Sequence, residues 1–215
     1  MIVKKIVNSY LSSNTYILFL ENEDYVWLID PGDTEPIFSW LRAQNKNLRG
    51  VLLTHYHYDH IYGVLDLLAE YDEILIYASN QSIEGLASPR MNGSLYAGTP
   101  YSLDRRFIKE VKSGEEIKIF NSRNALVYET PGHNNDCITF CIGAVLFTGD
   151  ALIPGVKPHV RSKHGDRDLA NQSIKKIFDT FSDDYVVYPG HKEVASLGEL
   201  RKRYDFEKNE WIHKS

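Results

Sequence analysis

Hydrophobic and polar residues alternate with two different periods along this chain. Near its start, three short apolar stretches read as strands: residues 2–7, 15–20 and 25–29. Asn22 and Asp24 suit the turn between the second and the third. Asp30-Pro31-Gly32-Asp33 then ends the third with strong turn chemistry. Thr34 is placed to cap a helix over 35–44, with Pro36 tolerated in its first turn. Residues 48–54 read as a buried strand that runs straight into a polar, histidine-rich turn. The spacing over 61–70 predicts a helix, and 74–78 another strand.

Residues 80–113 are broken by Ser88-Pro89-Arg90, Asn92-Gly93-Ser94 and Gly98-Thr99-Pro100. A short helix over 82–87 and then a long loop is the expectation, and loops of that length are usually functional or mobile. Strand patterns return at 116–120, 125–129, 137–142 and 145–148. After a loop over 151–167, Asp168 is expected to cap a long amphipathic helix with Ile174, Ile177, Phe178 and Phe181 on its apolar face. A strand over 185–188 and a helix over 195–203 complete the pattern. There is no solenoid repeat and no low-complexity linker. The reading is one α/β (α+β) domain over 1–215, with two sheets each covered by helices on its outer face, rather than one parallel sheet.

Composition narrows the function classes. The chain has 215 residues, 43% hydrophobic and 25% charged, enough for a real core and too apolar for a disordered protein. Its net charge of −5 rules out a global basic footprint for nucleic acid, though not a local basic patch. Two cysteines exclude a disulfide-stapled fold and any four-cysteine zinc site. Cys137 and Cys141 lie four apart on a predicted strand, too far to bridge, and read as buried free thiols. The apolar run 16–20 is too short for a signal segment, and no stretch approaches a membrane span. A soluble cytoplasmic protein is expected.

The chemistry sits in the histidines. Thr54-His55-Tyr56-His57-Tyr58-Asp59-His60 follows directly on an apolar strand. His55, His57 and Asp59 alternate, so on an extended segment they project to one side, with His60 at the start of the next helix. Imidazole and carboxylate suit zinc, and also iron or manganese. Three further strands each end in a small residue and then a ligand: Thr130-Pro131-Gly132-His133, Thr148-Gly149-Asp150 and Tyr188-Pro189-Gly190-His191. Glycine before the ligand permits a tight turn and close backbone approach. Thr54, Thr130 and Thr148 are candidates to orient the rings, or ordinary strand-end threonines.

His-x-His-x-Asp-His, Pro-Gly-His, Gly-Asp and a second Pro-Gly-His, in that order, resemble the metallo-β-lactamase superfamily of metal-dependent hydrolases. Asp30-Pro31-Gly32 and Ser13-Asn14-Thr15-Tyr16-Ile17 resemble its opening strands, and the likeness runs from about residue 2 to about residue 200. The resemblance implies a four-layered αβ/βα sandwich of two mixed sheets flanked by helices. It implies two divalent metals, most readily zinc, with iron or manganese as alternatives. His55, His57 and His133 would bind the first, Asp59, His60 and His191 the second, and Asp150 would bridge both. A bridging hydroxide would attack an ester-like centre, with Asp59 orienting it as the catalytic carboxylate. Carboxylates where some zinc β-lactamases use a cysteine resemble the glyoxalase II branch, hydroxyacylglutathione hydrolases, and put β-lactam hydrolysis in doubt.

The substrate is less well marked. The segment 155–168 holds four basic and two acidic residues beside two histidines. Lys157, His159, Arg161 and Lys163 are candidates to steer an anionic thioester or lactone, or to form a solvated loop. Tyr56, Tyr58 and Tyr62 flank the ligands and, with Tyr96 and Tyr101, are candidates to line the groove and touch substrate, or to pack. Glyoxalase II holds glutathione with basic and tyrosine residues of the equivalent loop and of an additional C-terminal domain. This chain is expected to lack that domain, so a glutathione thioester is one candidate among several. An iron-dependent persulfide dioxygenase-like oxidoreductase and a nucleic-acid phosphodiesterase are the alternatives. A small-molecule substrate is expected in preference to nucleic acid, with no membrane partner.

Overall fold

The computed structural model describes residues 1–71 and 73–212. The chain divides into two compact units, Met1–Val111 and Lys112–Ser215.

In the first unit the elements run β1 (Ile2–Val7), β2 (Asn14–Phe19), β3 (Tyr25–Ile29), α1 (Thr34–Gln44), β4 (Asn47–Leu52), α2 (Val64–Glu70), β5 (Leu75–Ser79), α3 (Ser82–Ala87) and β6 (Ile108–Val111). The six strands form one sheet in the order β1-β2-β3-β4-β5-β6. β1, β2 and β3 pair antiparallel, and β3 through β6 pair parallel. Ile37 and Leu41 of α1, Val64 and Leu67 of α2 and Leu86 of α3 bury with Ile17, Val26, Leu28, Val51 and Ile76 of the sheet in one core. Asn45 ends α1 in the left-handed conformation, its N–H bonded to the carbonyls of Arg42 and Leu41.

Several boundaries differ from the sequence pattern for identifiable reasons. Thr34 is the first residue of α1, not its cap: its hydroxyl donates to Asp66 across to α2 at 3.0 Å. β4 ends at Leu52, because the Thr54 N–H leaves the ladder for the Asp30 side chain. α2 begins at Val64 rather than residue 61, because Tyr58–His60 forms a 3₁₀ turn and the Gly63 N–H is taken by the Pro31 carbonyl. β6 was hidden inside the expected loop. It is an edge strand, Ile-Lys-Glu-Val, too short and too charged to show a period.

The second unit holds β7 (Glu116–Phe120), β8 (Arg123–Glu129), β9 (Ile138–Ile142), β10 (Val145–Gly149), α4 (Arg167–Thr180), β11 (Val186–Pro189), β12 (Ala195–Ser196), α5 (Leu197–Arg201), β13 (Tyr204–Asp205) and β14 (Glu210–Trp211). Its sheet has the order β12-β11-β10-β9-β8-β7, and β13 and β14 pair with each other as a hairpin. Ile174, Ile177 and Phe178 of α4 and Leu197 and Leu200 of α5 pack with Cys141, Leu146 and Val187 of the sheet. Asp166, not Asp168, caps α4: its carboxylate accepts from the N–H groups of Asp168 and Leu169. Residues 195–203 are a short strand before a short helix, because Val186 and Val187 of β11 recruit Ser196 and Ala195 into the sheet. Cys137 and Cys141 are both buried. Among the described residues no helix is long and apolar enough to cross a membrane.

Candidate metal centre

Parallel strands deliver their following loops to one edge of a sheet, which is where open α/β sheets bind ligands. β3 and β4 are parallel neighbours. Asp30 follows the first and Thr54-His55 follows the second, so sheet topology alone sets them side by side. His55 and His57 then lie on extended chain, their ring centroids 4.8 Å apart and nearly perpendicular. The expected alternation stops there. Asp59 and His60 are carried by the 3₁₀ turn, which brings His60 Nε2 to 3.3 Å from Asp59 Oδ2 and its ring to 4.4 Å from that of His55.

The second unit repeats the principle. β8 and β10 are both antiparallel to β9, and β10 is parallel to β11, so β8, β10 and β11 all point the same way. His133, Asp150 and His191 each follow the C-terminal end of one of these three strands. Two glycines make the exits possible. Gly132 has φ +136°, and a Cβ there would meet the backbone of Ala170 in α4 at 2.2 Å. Gly149 has φ +48° just before Asp150. Asp150 Oδ2 lies 3.6 Å from His133 Nε2 and 3.6 Å from His191 Nε2. Ligand atoms about 2 Å from a common zinc at tetrahedral angles sit roughly 3.3 Å apart. One carboxylate oxygen at nearly that separation from two imidazoles can share a metal ion with either of them.

The hydrogen bonds behind the rings fix which nitrogen faces a metal. The Asp30 carboxylate accepts from the Thr54 N–H at 2.8 Å and from the Thr54 hydroxyl at 2.6 Å. It also lies 3.1 Å from His60 Nδ1. The Thr54 hydroxyl proton is thus committed to Asp30, so its oxygen accepts from His55 Nδ1 at 3.0 Å. The His159 carbonyl accepts from His133 Nδ1 at 2.7 Å. On this network all three rings carry the proton on Nδ1 and present the Nε2 lone pair, the form that ligates a divalent cation. The donor set therefore fits a metal. Asp30, His55 and His60 offer ligand-type atoms within 4.8 Å of one another, but the contacts of Asp30 make it the partner behind the rings.

Asp30 was marked only by a turn motif and by its likeness to the superfamily's opening strands, neither of which assigns it this role. It is 1% exposed with φ +48°, a strained backbone for a residue other than glycine, and such strain gathers at functional sites. Thr54 orients a ring, whereas the Thr130 hydroxyl pairs with Thr139 and the Thr148 hydroxyl donates to the Leu152 carbonyl. The expectation that Tyr56 touches substrate is corrected: it is 1% exposed and its ring fills the space over Gly85. Tyr58 is half-buried and its ring meets those of Tyr10, Tyr62 and Tyr101 at 5.5, 5.6 and 6.0 Å. Lys157 is ion-paired with Glu210 at 2.9 Å. His159 contributes its backbone carbonyl, while Arg161 and Lys163 are exposed.

The family model of the metallo-beta-lactamase superfamily matches residues 10–191. The chain belongs to that superfamily. A hydroxyacylglutathione hydrolase of Pseudoalteromonas translucida is 28% identical over 156 residues, which are 72% of this chain and 52% of that protein. The chain thus spans about half the length of this curated relative. Among solved structures, the BLEG-1 B3 metallo-beta-lactamase is 26% identical with a TM-score of 0.85, over 94% of this chain and 97% of that one. TTHA1623, solved in a di-iron-bound form, is 24% identical with a TM-score of 0.78, over 94% and 98%. Two mixed sheets with helices on each are the fold of this superfamily, whose members related here by sequence are hydrolases by name.

Proposed function

We propose that His55, His57 and His133 hold one divalent ion, Asp59, His60 and His191 hold a second, and Asp150 is shared between them, in a hydrolase for small anionic thioesters or lactones. The observation that carries this reading is an oxygen 2.7–3.1 Å from Nδ1 of each of His55, His60 and His133, which leaves each Nε2 as the ligand atom. Divalent ions at such a centre would lower the pKa of water towards neutrality and polarise the scissile carbonyl. The chain's own part is to hold the ligands ready. Asp30 and Thr54 back two rings and the His159 carbonyl a third, and Asp59 would accept a hydrogen bond from the attacking water and orient it. Arg161 and Lys163, exposed on the segment after Asp150, would draw in an anionic substrate.

Hydroxyacylglutathione thioesters lead the substrate list, because the first curated relative is named for them. A second reading is favoured by one comparison: likeness to a B3 metallo-beta-lactamase covers nearly all of both chains, so a β-lactam belongs on the same panel. The test is metal analysis for zinc, iron and manganese, followed by assays of thioester, lactone, β-lactam and phosphodiester substrates with the metal-loaded chain. Thioester or lactone turnover abolished by chelation supports the proposal. A fully loaded chain that turns over none of them refutes it.

A further inference from the structure

The segment 153–165 is tied down at two places. At one it braces a proposed ligand. The His159 carbonyl accepts from His133 Nδ1 at 2.7 Å, and the Ser162 hydroxyl donates to the His133 carbonyl at 3.4 Å and to Asn134 Oδ1 at 3.3 Å. At the other it is held by the β13–β14 hairpin. The Trp211 indole N–H donates to the Val156 carbonyl at 2.8 Å, and Lys157 pairs with Glu210 at 2.9 Å. The hairpin is itself anchored. Trp211 is 3% exposed, its ring meets Tyr204 edge-on at 5.2 Å, and Tyr204 meets Phe178 of α4 at 5.7 Å.

Only Lys157 and Pro158 separate the two ties, and Pro158 is buried. The proline ring fixes its own φ and restricts the residue before it. A four-residue link with a buried proline has little slack, so a shift at Val156 is passed to the His159 carbonyl. That carbonyl sets the tautomer and tilt of the His133 ring.

We propose that the β13–β14 hairpin is a positioning device for His133, acting through Trp211, Val156 and the His159 carbonyl. This rests on the reading of His133 as a metal ligand. Nothing in the sequence pattern marks Trp211, which lies 78 residues beyond His133 (211 − 133) and outside the family match.

The experiment measures zinc affinity and zinc release of the full chain by competition with a chromogenic chelator, with no substrate present. Trp211→Phe keeps an aromatic ring against Tyr204 and removes the indole donor. The expected result is about 10-fold weaker zinc binding at one site, the low end of the cost of losing a partner behind a metal-bound histidine. Its metal-free melting temperature should stay near that of the parent. If Trp211→Phe does not fold, Glu210→Gln cuts the second tie, and a two- to threefold loss of affinity, on the order of one rim ion pair, is expected. His133→Ala separates the two ideas. Parent-like affinity in His133→Ala overturns the ligand reading. Loss in His133→Ala with parent-like affinity in Trp211→Phe, or in Glu210→Gln where that variant stands in, overturns the hairpin proposal alone.

Discussion

Asp30 does three jobs with one carboxylate. It accepts from a backbone N–H, from the Thr54 hydroxyl and from the ring of His60, and it does so from a strained backbone conformation. Asparagine tolerates that conformation, so Asp30→Asn removes the charge and one acceptor with the backbone left alone. Metal affinity should fall by about 10–100-fold, as for other partners behind metal-bound histidines; chelator competition measures it. A parent-like affinity would remove Asp30 from the centre. Local pattern could not reveal this residue, because its partners Thr54 and His60 lie 24 and 30 positions downstream and are brought beside it by the pairing of β3 with β4. The proposed ligands were legible for the opposite reason: four of them crowd into six consecutive residues. Cys141 makes a separate point about reactivity. Burial pushes its thiol up to about 11, so the reactive thiolate is scarce at pH 8. Iodoacetamide should leave it untouched in the folded chain at that pH, and label it as pH approaches 11 or on unfolding. Prompt labelling at pH 8 without unfolding would contradict the burial.

Elements were legible where their period was long and clean, and blurred where contacts from elsewhere took over the backbone. α4 and the central strands follow the pattern closely, since their apolar faces are complete. The start of α2 does not, because Pro31 captures the Gly63 N–H before a helix can form. β6, β13 and β14 were invisible, being two to four residues long. Packing at this scale yields a stability prediction. A methyl group at residue 132 would collide with the backbone of α4 and also sit at a φ that side chains avoid. Gly132→Ala should lose about 1–3 kcal/mol from overpacking alone, with further loss from backbone strain. Urea titration reads this as a lowered midpoint. An unchanged midpoint would mean that the turn after β8 and α4 do not approach this closely.

For the whole molecule, charge and family bear on what can be bound. A net charge of −5 repels anions in general, yet the segment after Asp150 exposes Arg161 and Lys163. Replacing both with Gln should raise KM for an anionic thioester several-fold and flatten its rise with salt, with kcat little changed, because screening acts on encounter between exposed charges. A KM that ignores both salt and the substitutions would rule the segment out as the anion guide. Family membership was readable from the order of motifs. The substrate was not, since one fold carries many activities and the chain spans about half of the hydroxyacylglutathione hydrolase it matches. The most direct measurement is hydrolysis of a 2-hydroxyacylglutathione thioester while zinc or iron is titrated into the metal-free chain. Turnover that rises with metal and levels off at about two equivalents per chain is the expected result. A chain that takes up about two equivalents and leaves the thioester intact would contradict it.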